Sequence, residues 1–219
     1  MSGSAAEGLV DQSGRPLGPR AQGTRRRLLD ETRAQLAERS LRDLSVVEIA
    51  RRAGTSPATF YQYFKDVIEA ALCLAQEAAE EMPAVVALVD GPWDEARGLE
   101  TARAVVKRFV QLWQAHHAVL LLRNLASDQG DERFRRVRIQ THQALLRRIA
   151  GRIDESKRAG RLPEDLVSLA AAASMVSLLE RLAAHQRGLE PYGVSSEAFA
   201  ETAARILYQT VSGRVARAA

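Results

Sequence analysis

The chain has 219 residues, 46% of them hydrophobic, with 31 Lys+Arg against 27 Asp+Glu, a net charge of +4 and a pI near 9.6. That is enough apolar material for one large domain or two small ones, and the basic balance suits a polyanionic partner without requiring one. The single cysteine, Cys73, excludes an intrachain disulfide, and no Cys-x-x-Cys or His-x-x-x-His spacing marks a metal site or calls for a cofactor.

Residues 1–23 are rich in Gly, Ser, Pro and Arg and have no amphipathic period, so a disordered basic arm is expected there. Glu7 and Asp11 fall where a secretion signal needs an apolar run, which points to a cytoplasmic protein. From Thr24 the pattern is helical. Thr24 is placed to cap a first helix running to about Ser40, with Leu29, Thr32 and Leu36 on one stripe. Ser45 and Glu48 have capping-box spacing ahead of Ile49, Ala50 and Ala53, and Gly54 then ends that helix. Ser56-Pro57 starts the next, and Asp66 with Glu69 opens a fourth that should bend or stop around Pro83.

A loop at Asp90-Gly91-Pro92 leads to a helix carrying Leu99, Ala102, Val106, Phe109 and Trp113. Shorter apolar material at 119–125 is too polar, with Arg123 and the nearby Gln114, His116 and His117, to belong to a membrane span. A long helix over about 132–159 follows, then helices over about 163–186 and 196–212. The expected fold is all-α, with about nine helices: a basic arm at 1–23, a three-helix head at 24–68 and a helical body at 69–219.

The informative stretch is 46–64, a short helix, a Gly-containing turn and a second short helix. This is the spacing of a helix-turn-helix, in which the second helix enters the major groove of DNA. Phe60 and Phe64, at i and i+4, can anchor inward, leaving Ala58, Thr59, Tyr61, Gln62 and Tyr63 for phosphates or base edges. An ordinary helical hairpin with a wet aromatic face has the same spacing. Arg25-Arg26-Arg27 at a helix start oppose the macrodipole, which a neighbouring phosphate would explain and a solvated charge run would also accommodate. Lys65, beside the start of the fourth helix, adds a cation near free backbone N–H groups.

These segments resemble the tetracycline-repressor (TetR) family. The matching residues run from Arg26-Arg27-Leu28-Leu29-Asp30 through Leu44-Ser45-Val46-Val47-Glu48-Ile49-Ala50-Arg51-Arg52-Ala53-Gly54-Thr55-Ser56 to Thr59-Phe60-Tyr61-Gln62-Tyr63-Phe64-Lys65-Asp66. The resemblance covers about residues 24–72. It implies a DNA-binding head, a fourth helix linking it to a ligand-binding body, dimerisation through the last two long helices, and repression relieved by a small molecule. The candidate DNA-contacting set is Arg25, Arg26, Arg27, Ser45, Thr55, Ser56, Pro57, Ala58, Thr59, Tyr61, Gln62, Tyr63 and Lys65. Two departures stand out: Ser40-Leu41 where the family often has Gly, and Val67 where it often has a second Lys, which removes one expected phosphate contact.

Beyond residue 80 the reading is physical. Phe109, Trp113, Leu120, Leu121, Asn124, Met175, Leu178 and Leu179 can line an apolar cavity with a polar anchor, and equally make plain core. Such a cavity suits a small, largely apolar ligand of the fatty-acyl type. The run Ala170-Ala171-Ala172-Ala173-Ser174 allows close helix approach in a homodimer, with Val167, Leu169, Leu178, Leu179 and Leu182 as apolar contacts. An enzyme would need a nucleophile elbow, P-loop or paired-carboxylate motif, and no such motif supports that reading. A helical adaptor would bind a protein and be indifferent to DNA.

Overall fold

The structure is a computed structural model and describes residues 10–215; positions 1–9 of the expected arm lie outside the described residues. The α-helices in chain order are α1 (Pro19–Glu38), α2 (Val46–Arg52), α3 (Pro57–Tyr63), α4 (Val67–Ala79), α5 (Met82–Leu88), α6 (Gly98–Ala115), α7 (His117–Asp128), α8 (Glu132–Arg158), α9 (Ser168–Ala184) and α10 (Ser196–Ser212). Short 3-10 turns occupy Leu41–Asp43 and Gln186–Tyr192, and an isolated bridge pairs Val10 with Pro16. The fold is all-α, and no described helix is long and apolar enough to cross a membrane. The fourth predicted helix, expected to reach Met82, breaks at Glu80–Glu81 into α4 and α5.

The first helix starts five residues earlier than Thr24. Pro19 takes the first helical position, where its missing N–H does no harm, and Thr24 lies a turn further in with its hydroxyl donating to the Arg20 carbonyl. Residues 10–18 are folded as well. The Asp11 carboxylate accepts from Arg15 N–H, Ser13 N–H and the Ser13 hydroxyl, which together hold it below the usual carboxylate range, and Leu17 is buried. The Ser45–Glu48 capping box does not form either. Ser45 occupies the cap position without a side-chain hydrogen bond, because the Glu48 carboxylate is gripped by both Nη atoms of Arg39 at 3.0 and 3.2 Å. A two-pronged charge-assisted pair outcompetes a single backbone N–H.

Two apolar clusters organise the chain. The first joins Leu28 and Leu29 of α1, Ile49 of α2, Phe60 of α3 and Leu74 of α4, and reaches into the body through Val119 of α7 and Phe134 of α8. The second is built around α6, whose Phe109 and Trp113 are enclosed by α5, α8, α9 and α10. Helix α4 belongs to both: Ala70, Ala71, Leu74 and Ala75 face the first cluster, and Ala78 faces the second. Close packing of α10 on α6 requires Gly98, since a Cβ there would run into the Tyr208 ring. The thiol of Cys73 is pushed up by burial, away from thiolate chemistry.

The body also buries charge. Arg123 of α7, 1% exposed, donates to Glu180 of α9 at 3.0 Å, and Arg138 of α8 donates to the other oxygen of the same carboxylate at 2.9 Å. His142 of α8 lies 3.6 Å from Glu180 with a buried Nε2 that has no hydrogen-bond partner. Burial, aided by Arg123 and Arg138 and opposed by Glu180, pushes the His142 imidazole down to about 4, so it is neutral at physiological pH. Below the ordinary histidine value of 6.5 the unfolded chain takes a proton here that the folded chain refuses, so stability falls as pH drops from about 6.5 to about 4. The expected contribution is at most about 1.4 kcal/mol per pH unit for one proton. Melting of parent and His142→Asn across that range checks it: the parent's decline should be steeper, and equal slopes would clear His142 of the effect.

Candidate nucleic-acid interface

The turn between α2 and α3 is made by Gly54 at φ +67, a left-handed position that a side chain rarely adopts, with Thr55 N–H closing onto the Ala50 carbonyl at 2.9 Å. Ser56 caps α3: its hydroxyl oxygen accepts from Thr59 N–H at 3.2 Å and lies 3.0 Å from the Thr59 hydroxyl. Phe60 and Phe64 are wholly buried, with ring centroids 5.4 Å apart. The opposite face of α3 presents Ser56, Ala58, Tyr61 and Gln62 to solvent, Tyr61 being 53% exposed. The helix is thus divided into an anchoring face and a free one. The free face carries a small apolar group, a phenol and an amide, which suit thymine methyls, phosphates and base edges.

The remaining sequence-selected residues divide by position. Thr55, Thr59 and Tyr63 turn toward α1, where they line a groove with Pro19, Arg20 and Arg27. Pro57 is partly buried, and Ser45 is exposed at the start of α2. Of the three consecutive arginines, Arg27 alone lines that groove, its Nε donating to the Ala53 carbonyl at 3.2 Å. Arg25 stacks its guanidinium 5.2 Å from the Phe64 ring centroid. Arg26 is held by Asp30 at 2.7 Å and Glu77 at 2.8 Å, contacts that outweigh the cost of its burial. All three lie inside α1 rather than at its start, so the unfavourable macrodipole term inferred from the sequence does not apply. The Lys65 ammonium is exposed, but its backbone N–H is taken by the Glu69 carboxylate and is closed to a phosphate.

Sequence reasoning missed three contributors. Arg20, which lines the groove, and Arg51 of α2 are both exposed and carry no ion pair among the described residues. Pro19, as a first-helical-position signal, would have revealed Arg20; nothing in the pattern marks Arg51. Gln12 falls in the stretch expected to be a loose arm, yet its N–H donates to the Gln62 carbonyl at 2.9 Å, and its side-chain amide donates to the Tyr63 carbonyl at 3.2 Å and to Glu69 at 3.1 Å. Residues 10–18 therefore form a hook that satisfies carbonyls at the end of α3.

In the body the eight residues expected around a cavity divide between the core, its margin and the surface clefts. Phe109, Trp113, Leu120 and Leu179 are buried core at 0–1% exposure, Met175 and Leu178 pack against that core, and Asn124 hydrogen-bonds Arg123 and Glu180. Leu121 alone of the eight lines one of the open clefts described next. Helical periodicity marks a residue as inward-facing, and inward here means into a filled interior. One cleft of about 550 Å³ lies between the α4–α5 break and α8, lined by Ala79, Met82, Val86 and Val137 with Glu80, Asp90 and Arg148. Another, of about 500 Å³, lies between the end of α1 and α7 and includes Leu121, Leu122 and Leu125.

Residues 28–66 match the profile of bacterial regulatory proteins of the tetR family, and residues 85–218 match that of the tetracyclin repressor-like C-terminal domain. Among solved structures, the fatty acid degradation regulator FadR from Bacillus halodurans is 17% identical, with 89% of this chain and 97% of that one aligned at a TM-score of 0.65. The transcriptional regulator FadR from Bacillus subtilis, in complex with stearoyl-CoA, is 17% identical over 86% and 98% of the two chains, with a TM-score of 0.63. AibR, in complex with isovaleryl coenzyme A and operator DNA, is 14% identical over 84% and 98%, with a TM-score of 0.62. At such identities these likenesses speak for the fold, and the two profiles between them span both the helix-turn-helix and the body. The chain belongs to the TetR family of bacterial regulatory proteins.

Proposed function

We propose that the protein is a cytoplasmic, ligand-responsive transcriptional repressor that grips a pseudo-palindromic operator as a homodimer and lets go when a small, largely apolar ligand binds its body. The observation that carries the reading is the division of α3, with Phe60 and Phe64 buried while Ala58, Tyr61 and Gln62 stand free beside the exposed cations Arg20, Arg27 and Lys65. In this reading Tyr61, Gln62 and Ala58 meet base edges and phosphates, while Arg20, Arg27, Arg51 and Lys65 meet the backbone. Thr55, Thr59 and Tyr63 line the groove that receives it. Arg25 and Arg26 keep α1 in place. The head, expected over about residues 24–68, takes in the hook and the start of α1 over residues 10–23 as well, and the body comprises about 69–219. FadR from Bacillus subtilis with stearoyl-CoA, and AibR with isovaleryl coenzyme A and operator DNA, support the same division of labour on the same fold.

Dimerisation is assigned to α9 and α10. Leu179 and Leu182 are spent on the core and Leu178 packs against it, so the free contacts are Val167 (64% exposed), Leu169 (55% exposed) and the small exposed residues Ala170, Ala173 and Ser174. Two heads on a two-fold axis then meet half-sites about 34–36 Å apart or a multiple of that.

Two measurements test the proposal. After selection of an operator from genomic fragments, Tyr61→Ala and Gln62→Ala should each lose about 1–3 kcal/mol of specific binding where they read a base, with unchanged melting. Arg27→Ala should instead lower the slope of log affinity against log salt by about 0.9 with little change in specificity. Variants of all three that bind like the parent would remove α3 from the interface. Independently, the parent should sediment as a dimer at micromolar concentration and Ala173→Glu as a monomer with weakened operator binding, whereas a monomeric parent, with and without DNA, would defeat the symmetric arrangement.

A further inference from the structure

We propose that the seam between the head and the body, where α1 ends against α7, is the binding site for an amphipathic carboxylate: an unbranched aliphatic chain with one anionic end. The inference rests on the ligand-responsive reading above and names the class of ligand and the place where it acts.

The seam is an apolar cleft of about 500 Å³, within the range of small-molecule sites, floored by Leu36 and Leu41 from the head and Leu121, Leu122 and Leu125 from α7. Leu125 is 56% exposed on a helix whose other leucines are turned inward or half-buried, so part of the apolar wall stands open to water. At the rim the charge has one sign. The cations Arg39 and Arg42 line the cleft, and no acidic residue does. Arg39 is engaged by Glu48, and His117 Nε2 lies 3.1 Å from the Ala184 carbonyl, but Arg42 carries no ion pair among the described residues. An apolar floor beneath an unspent guanidinium fits a hydrocarbon chain ending in a carboxylate, which would accept from Arg42 while its tail covers Leu125.

The cleft between the α4–α5 break and α8 has the opposite character. Its rim holds Glu80 and Asp90, and its arginine, Arg148, already lies 3.2 Å from Asp90. An anion is disfavoured there. The seam also has the position a regulator needs: its head wall includes Leu41 and Arg42 of the 3-10 turn that leads directly into α2, and its body wall is α7. An occupant touches both layers at once, so its affinity depends on the angle between them, and by reciprocity occupancy biases that angle.

The experiment uses the full chain and dansylaminoundecanoic acid as a fluorescent probe, displaced by laurate, with dodecanol and dodecyltrimethylammonium as uncharged and cationic controls. Laurate should displace the probe and both controls should fail. Leu125→Glu should weaken probe binding about tenfold or more, by placing a repelling carboxylate on the apolar wall, and Arg42→Ala should weaken it severalfold through loss of the charge-assisted pair. Both residues are exposed or half-bare, so melting should be unchanged. Ala144→Trp, which fills the cleft beside α8, should leave the affinity as it was. Equal displacement by dodecanol, an unaltered Leu125→Glu, or loss of binding in Ala144→Trp would each overturn the proposal. Operator affinity measured in parallel separates the two readings. Laurate bound at the seam with no effect on DNA binding refutes the regulatory part and leaves the site standing, and a chain that binds no operator refutes the repressor reading alone.

Discussion

Glu81 stands at the break between α4 and α5 and accepts hydrogen bonds from His116 Nε2 at 2.6 Å and Arg108 Nη2 at 2.9 Å, partners that hold its carboxyl below the usual range. One helical turn earlier Glu77 accepts from Arg26 and Arg33 of α1 at 2.8 and 3.2 Å. These two carboxylates tie one end of α4 to the head and to the body at once. Exposed pairs of this kind contribute about 0–1 kcal/mol each, far less than the burial of Ala70, Ala71, Leu74, Ala75 and Ala78 along the same helix. Their role is register rather than strength. Alanine faces are smooth and would tolerate sliding, whereas a carboxylate caught between two cations fixes where along the helix each layer sits.

The buried cluster of Arg123, Arg138, His142 and Glu180 plays the corresponding part within the body. A buried ion pair returns little net stability, because desolvation consumes most of the attraction. Burial pulls the Arg123 guanidinium down to about 10, and although burial by itself raises Glu180, the hydrogen bond from Arg138 and the charges of Arg123 and Arg138 help carry it below the carboxylate range. The pair is charged at physiological pH, and losing one partner would cost about 3–5 kcal/mol. Helices α7, α8 and α9 each contribute a member, so any repacking that separates them strands a charge. The body is thereby limited to arrangements that keep these three helices together, and movement is directed to its margins, the seam with α1 and the α4–α5 break.

The helix-turn-helix was legible because its signals are local. Gly54, the Ser56 cap, Pro57 and the Phe60/Phe64 spacing each act within four residues, and the structure realises all of them. The failures came where partners are remote in sequence. Glu48 is drawn from Ser45 to Arg39, Arg26 to Glu77 fifty-one residues away, and Gln12 to the end of α3, and no local pattern announces such pairings. The expected cavity residues are a different case. Periodicity identified Phe109, Trp113, Leu120 and Leu179 correctly as inward-facing, but inward-facing residues surround a cavity or fill one, and the distinction depends on the summed volumes of five helices. Arg123 and Glu180 gave a weak sign of it, being charged residues on faces otherwise apolar.

The recognition helix itself constrains how regulation can work. Seven residues span about 10 Å, too short for a helix to persist on its own propensity. Its shape is imposed from outside: Ser56 caps the start, Phe60 and Phe64 pin one side, Arg25 lies against Phe64, and the Gln12 hook takes carbonyls at the end. A helix held at so many points has no soft internal coordinate for a ligand to adjust. What can change at low cost is the placement of the whole head, which meets the body through the contacts of α4 with α7 and α8 and of α7 with α1. In the proposed dimer such a change would be amplified, since a small rotation of each head would alter the distance between two recognition helices that must match a fixed DNA repeat. A ligand shifts that equilibrium only by its difference in affinity for the two head angles, however tightly it binds. A site confined to one layer would sense the angle weakly, whereas a site whose walls belong to both layers senses it by construction.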